Sequence, residues 1–88
     1  MASPLTVSVV SADQEIWSGE ASMVIAKTVE GEIGILAGHE PMLAILASGE
    51  VRVNATGGER IVARADDGFL SVDNDVVTIV ARDAELVK

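Results

Sequence analysis

The sequence predicts an all-β domain, a small flattened sandwich of short strands. Apolar residues recur with period two, and Gly, Asp, Asn or Ser punctuation returns about every eight to twelve residues, the spacing of a sandwich or barrel. No segment carries the i, i+3, i+4 spacing of a long helix. Leu5, Val7 and Val9 fall on one face of a first strand, with Thr6 and Ser8 on the other. Ser11-Ala12-Asp13 supplies turn chemistry before Glu15–Ser18, and Ser18-Gly19-Glu20 separates that strand from Met23–Lys27. Glu30-Gly31-Glu32 interrupts the pattern, Ile33–Leu36 resumes it, and Ala37-Gly38-His39-Glu40-Pro41 forms a loop in which Pro41 keeps Glu40 out of the helical region. Met42–Ala47 is apolar on both faces, so it is buried on both or covered by another chain; a helix over the same residues is the alternative reading. Ser48-Gly49-Glu50 ends it. Val51, Val53 and Ala55 then pair through a Gly57-Gly58 hairpin with Ile61, Ala63 and Ala65. The outward Arg52, Arg60 and Arg64 read as a solvated face paired with neighbouring acids. Asp66-Asp67-Gly68 and Asp73-Asn74-Asp75 bracket Phe69–Val72 before a closing strand, Val76–Ala81. The pattern yields about nine strands.

Composition narrows the function. At 88 residues there is room for one domain, and 49 % hydrophobic residues argue that it folds. A globule this small is marginal on its own and leans on a partner. With no cysteine, disulfides, zinc ribbons and thiol chemistry fall away, and an intracellular address fits best. Met1-Ala2-Ser3-Pro4 does not open a signal peptide, and no run approaches the ~20 apolar residues of a membrane span. A net charge of −8 repels phosphate backbones and anionic headgroups, which sets aside nucleic acid and direct membrane insertion.

Reactive groups are scarce: one histidine, no tyrosine, and two lysines. His39 sits in a Gly-His-Glu-Pro loop without a nucleophile motif and reads as a loop or interface residue, so no catalytic residue is assigned. Gly31, Gly34 and Gly38 do not follow phosphate-binding spacings, and no cofactor site is assigned. Asp73 and Asp75 begin like a calcium loop, but Thr78 and Ala84 stand where glycine and glutamate are required. They are read as turn residues, and no metal site is assigned. Trp17 and Phe69, the only aromatics, are expected as core fillers. Residues alone lead to an acidic β-domain that binds something. One version of that is a free-standing, small-ligand-binding β-sandwich with a pocket bounded by Met23, Met42 and Trp17.

Val10–Gly19, then the run Glu30-Gly31-Glu32-Ile33-Gly34-Ile35-Leu36-Ala37-Gly38-His39-Glu40-Pro41-Met42-Leu43, and finally Gly68-Phe69-Leu70-Ser71-Val72 with Asp75–Ala81 resemble the epsilon subunits of F-type ATP synthases, called delta in mitochondria. The likeness spans about Leu5 to Ala84 and departs at Asp67, where the family often has glycine. It implies a sandwich of about ten short strands over residues 1–84, a non-catalytic place in the central stalk, and partnership with the gamma subunit and the polar loops of the c ring. By the same resemblance Ser11, His39, Pro41, Met42 and Leu43 face gamma, and the Glu30-Gly31-Glu32 turn meets the ring, chiefly through Glu32. The implied location is peripheral, on the cytoplasmic face of the bacterial plasma membrane. Residues 85–88 stand where longer members begin a helical carboxy-terminal domain; a natural short form and an excised domain both fit, and neither inhibition nor ATP binding is assigned.

Overall fold

The computed structural model describes residues 4–12, 14–38 and 40–87. Six strands follow in order: β1 Leu5–Ser11, β2 Glu15–Thr28, β3 Gly31–Leu36, β4 Met42–Ala55, β5 Arg60–Asp73 and β6 Val76–Leu86. They hydrogen-bond in the order β1-β6-β5-β4-β2-β3, and β1 also pairs with β2, so the sheet closes on itself. All pairs are antiparallel except β1 with β6. β2 is shared: its first half pairs with β1 and its second half with β3. The result is a flattened, two-layered sandwich, as the alternating pattern predicts.

The expected nine or ten short strands are six because the long ones turn corners without breaking. In β4 the buried positions run to Leu46 and resume at Val51, Val53 and Ala55, which shifts them from even to odd numbers. The ladder accounts for the shift, since Thr28 lies opposite Leu46 and Ala26 opposite Val51, leaving surplus residues on β4. Ser48-Gly49-Glu50 is therefore a corner inside one strand and not its end. β5 does the same between Ala65 and Leu70. There Asp67 takes a φ of 54°, the left-handed region that glycine enters freely and aspartate tolerates. Its neighbour Gly68 cannot be anything larger, because a Cβ would run into the Val80 carbonyl and the Ala81 Cα. The surplus residues of β4 against β2 bend that strand and turn its side chains over, and β5 turns with it while staying in register with β4 and β6.

That reversal corrects one expectation. Phe69, expected as a core filler, is turned outward by the corner, 42 % exposed, and Leu70 takes the place in the core. Trp17 is half-buried at the margin, packed against the core, with its indole over Gly19. The interior is aliphatic: Leu5, Val7, Val9, Val24, Ile35, Leu70, Val72, Val77 and Ile79 are buried. Hairpin chemistry follows the sequence. Gly57 and Gly58 have φ of 101° and 93° between β4 and β5, and Asn74 and Asp75 have φ of 50° and 63° between β5 and β6, the left-handed pair that a two-residue hairpin needs. At the other end β6 runs through Glu85 and Leu86, opposite Arg64 and Ala63, two residues past the expected boundary at 84.

Gly68→Ala should lower unfolding free energy by about 1–3 kcal/mol, since neither neighbour is a flexible side chain that can move aside. Urea denaturation followed by circular dichroism measures it, and an unchanged midpoint would show that the corner can open.

Candidate docking face

The two outer faces of the sandwich differ in chemistry. On the layer built from β1, β6 and the adjoining ends of β5 and β4, register aligns Ile45 with Phe69, Phe69 with Val80, and Val80 with Val10. These four apolar side chains form one row across four strands. Ile45 is 62 % and Phe69 42 % exposed, while Val80 and Val10 are half-buried. Leu43, 71 % exposed, stands two residues along β4 on the same face. The next row continues from Leu43 through Ser71, Thr78 and Ser8 to Ser18, so a line of hydroxyls flanks the apolar one. Contiguous apolar surface of this kind marks an interaction site far more strongly than scattered exposed residues.

The local reason lies in Met42–Ala47. As a strand, this run sends Met42, Ala44 and Leu46 toward the core and Leu43 and Ile45 outward. Of the two expected outcomes, burial on both faces does not occur within this chain; one face is left for something else to cover.

The other outer face is mixed, with Met23, Ile25, Leu36 and Val62 in outward positions among charges of both signs. Glu32 lies opposite Lys27, Glu50 opposite Arg64, and Arg64 opposite Glu85. Arg52 Nε sits 4.0 Å from Glu50 Oε1 with both side chains half exposed, a screened pair of little energetic weight. Arg52, Arg60 and Arg64 are exposed, in keeping with a solvated face.

At one end of the molecule the β2–β3 hairpin forms an acidic tip. Thr28, the buried polar residue there, donates from Oγ1 to the Gly31 carbonyl at 2.7 Å and accepts from the Glu30 amide at 3.2 Å. With Gly31 at φ 124°, these bonds fold the chain tightly enough to leave Glu30, Gly31 and Glu32 exposed. The Val29 amide donates to the Ile45 carbonyl at 3.0 Å, which joins the tip to the docking strand. A shallow cleft lined by Thr28, Val29, Glu30, Met42, Leu43 and Ile45 lies between them.

The structure thus brings the turn at Glu30 and Gly31 beside Met42 and Leu43, two groups expected to serve different partners. Ser11 lies at the far side of the same layer, next to Val10, and its hydroxyl is engaged in the turn, donating to the Gln14 carbonyl and accepting from its amide. Pro41 is exposed at the entry to β4. His39 lies outside the described residues. Neither this cleft nor the polar one lined by Arg64, Asp66, Asp83, Ala84 and Glu85 is bounded by Met23 or Trp17, the residues expected to border a pocket with Met42, and among the described residues the interior is filled by aliphatic side chains. Ile45, Phe69, Val80 and Val10 were not anticipated as site residues. The signal for them is that Val9-Val10 and Ile79-Val80, like Met42–Ala47, put apolar residues on both faces of a strand.

A family model described as the ATP synthase delta/epsilon chain, beta-sandwich domain, matches residues 4–87. The chain is 56 % identical over 82 residues to the ATP synthase epsilon chain of Micrococcus luteus, covering 93 % of this chain and 90 % of that one. It is 50 % identical to the epsilon chain of Frankia casuarinae, covering 94 % and 98 %, and 43 % identical to the longer one of Streptomyces avermitilis, covering 98 % and 69 %. Among solved structures, a chain of the Euglena gracilis mitochondrial ATP synthase, in a structure of OSCP, F1 and c-ring, superposes with a TM-score of 0.88 at 29 % identity. That match covers 94 % of this chain and 53 % of the Euglena chain, so this chain spans about half its length. A chain from the Tetrahymena thermophila central stalk and c-ring gives 0.74 at 17 % identity, a likeness of fold alone. Family model, relatives and fold agree: the chain belongs to the delta/epsilon family of ATP synthase subunits and forms its β-sandwich domain.

Proposed function

We propose that the chain is a non-catalytic, central-stalk subunit of a proton-translocating F-type ATP synthase, fastening the gamma subunit to the c ring so that rotation of one carries the other. The observation that supports this best is the apolar row Val10, Val80, Phe69 and Ile45 with Leu43 beside it. Covering such a row removes apolar area from water at about 25 cal/mol per Å2, whereas covering the opposite face would also cost the hydration of its charges. Gamma is the occupant of this face: residues that the family resemblance assigns to gamma, Ser11 and Leu43, stand at the two sides of the row, with Pro41 and Met42 at its entry strand. The acidic tip meets the ring. Glu32 offers a carboxylate to polar or cationic loop groups of the c subunits, with Glu30 and Gly31 shaping the approach. A closed, densely packed sandwich suits the task because torque passes through a body that does not shear. Among the described residues no helix is long and apolar enough to cross a membrane. In this reading the subunit is peripheral, held at the cytoplasmic face of the bacterial membrane through its partners.

Ile45→Asp should weaken binding to purified gamma about tenfold or more, with unfolding free energy changed by less than about 1 kcal/mol, because the side chain faces water in the free domain. Isothermal titration calorimetry and urea melts read the two effects; unchanged affinity would remove this face from the interface. Glu32→Lys should leave the circular dichroism spectrum intact and reduce ATP-driven proton pumping in assembled membranes. Full pumping by the variant would refute the ring contact.

A further inference from the structure

The loop that leads into the docking strand is tied down from an unexpected direction. The Gly38 amide donates to the Asp75 Oδ1 at 2.7 Å, across 37 positions of sequence. Asp75 occupies the β5–β6 turn with φ of 63°, and its own carbonyl accepts from the Thr6 amide of β1 at 2.8 Å. One residue thus links the loop before β4, the turn after β5 and the edge of β1. The hairpin that carries Asp75 is also the one on which β4 starts, since Met42 lies opposite Val72. Between tether and strand stands Pro41, whose fixed φ and whose restriction of Glu40 leave the chain few ways to swing.

We propose that Asp75 is a positioning residue: its carboxylate, bound to the Gly38 amide, sets the direction from which the chain enters β4 and so holds Leu43 and Ile45 in register with Phe69 for docking. This rests on the reading of that face as the gamma-binding surface. A short side chain ending in an oxygen is the fitting group, because it accepts from a backbone amide while its own backbone holds the turn. Aspartate also bears the left-handed backbone better than most side chains, which lets a single position do both jobs.

Two substitutions separate the carboxylate from the backbone it sits on. Asp75→Gly keeps the left-handed turn and removes the acceptor, whereas Asp75→Asn keeps both the turn and an oxygen. Exchange of the Gly38 amide in the free, full chain should quicken about tenfold in Asp75→Gly and stay within about twofold in Asp75→Asn. Affinity for purified gamma should fall about fivefold in the first variant and recover in the second. Unchanged Gly38 exchange in Asp75→Gly would overturn the tether. Faster exchange with undiminished gamma affinity would overturn its positioning role. Ile45→Asp, measured in parallel, distinguishes a third result: if that variant binds gamma like the parent chain, the docking reading fails and the positioning role falls with it, even where exchange still reports the bond.

Discussion

A sheet of six strands can close around a core only if its long members turn from one layer into the other, either by taking in surplus residues, as β2 and β4 do against each other, or by bending in register with both neighbours, as β5 does. In this domain the turns fall after Ala21 in β2, between Leu46 and Val51 in β4, and around Asp67 and Gly68 in β5. Each reverses which face looks inward. The requirement reaches well beyond local geometry. It dictates that Gly68 lack a side chain, that Asp67 accept an unusual backbone, that Leu70 rather than Phe69 fill the core, and that a phenyl ring be delivered to the outer surface beside Ile45.

The two outer faces show how little sequence is needed to direct a partner. One face sets Val10, Val80, Phe69, Ile45 and Leu43 together, and the other intersperses Met23, Ile25, Leu36 and Val62 with acids and bases, several of them set opposite one another. Covering the first releases water from apolar surface; covering the second would strip ions of their hydration. Orientation on a partner is thereby decided by desolvation, without any single strong bond.

The period-two pattern was legible because half-buried strands leave a direct imprint on hydropathy, and the Gly57-Gly58 and Asn74-Asp75 hairpins were legible because left-handed turns restrict residue choice. Strand number was not, because a corner inside a strand carries the same glycine and aspartate that end one. Phe69 was misplaced because an aromatic ring reads as a core filler, whereas the corner delivers it to the surface. At the site, Leu43 stood out within a run apolar on both faces, and the acidic tip through its Glu-Gly-Glu turn. Val10 and Val80 did not stand out, since the row they join is made by register between strands far apart in the chain. The service of Thr28 was hidden as well, because a threonine closing a strand looks ordinary until the Gly31 carbonyl bends back to meet it.

The parallel pairing of β1 with β6, from Thr6 against Val76 to Ser11 against Ala81, has a bearing on how the molecule is made. These partners lie at opposite ends of the fold, so during synthesis Leu5, Val7 and Val9 emerge long before the strand that seals them. Until then the nascent chain has an open seam with aliphatic groups in water, and its ordering must await a contact of very large sequence separation, the slowest kind to form. The docking row, which runs from Val10 on β1 to Val80 on β6 and beyond, is complete only when that seam shuts.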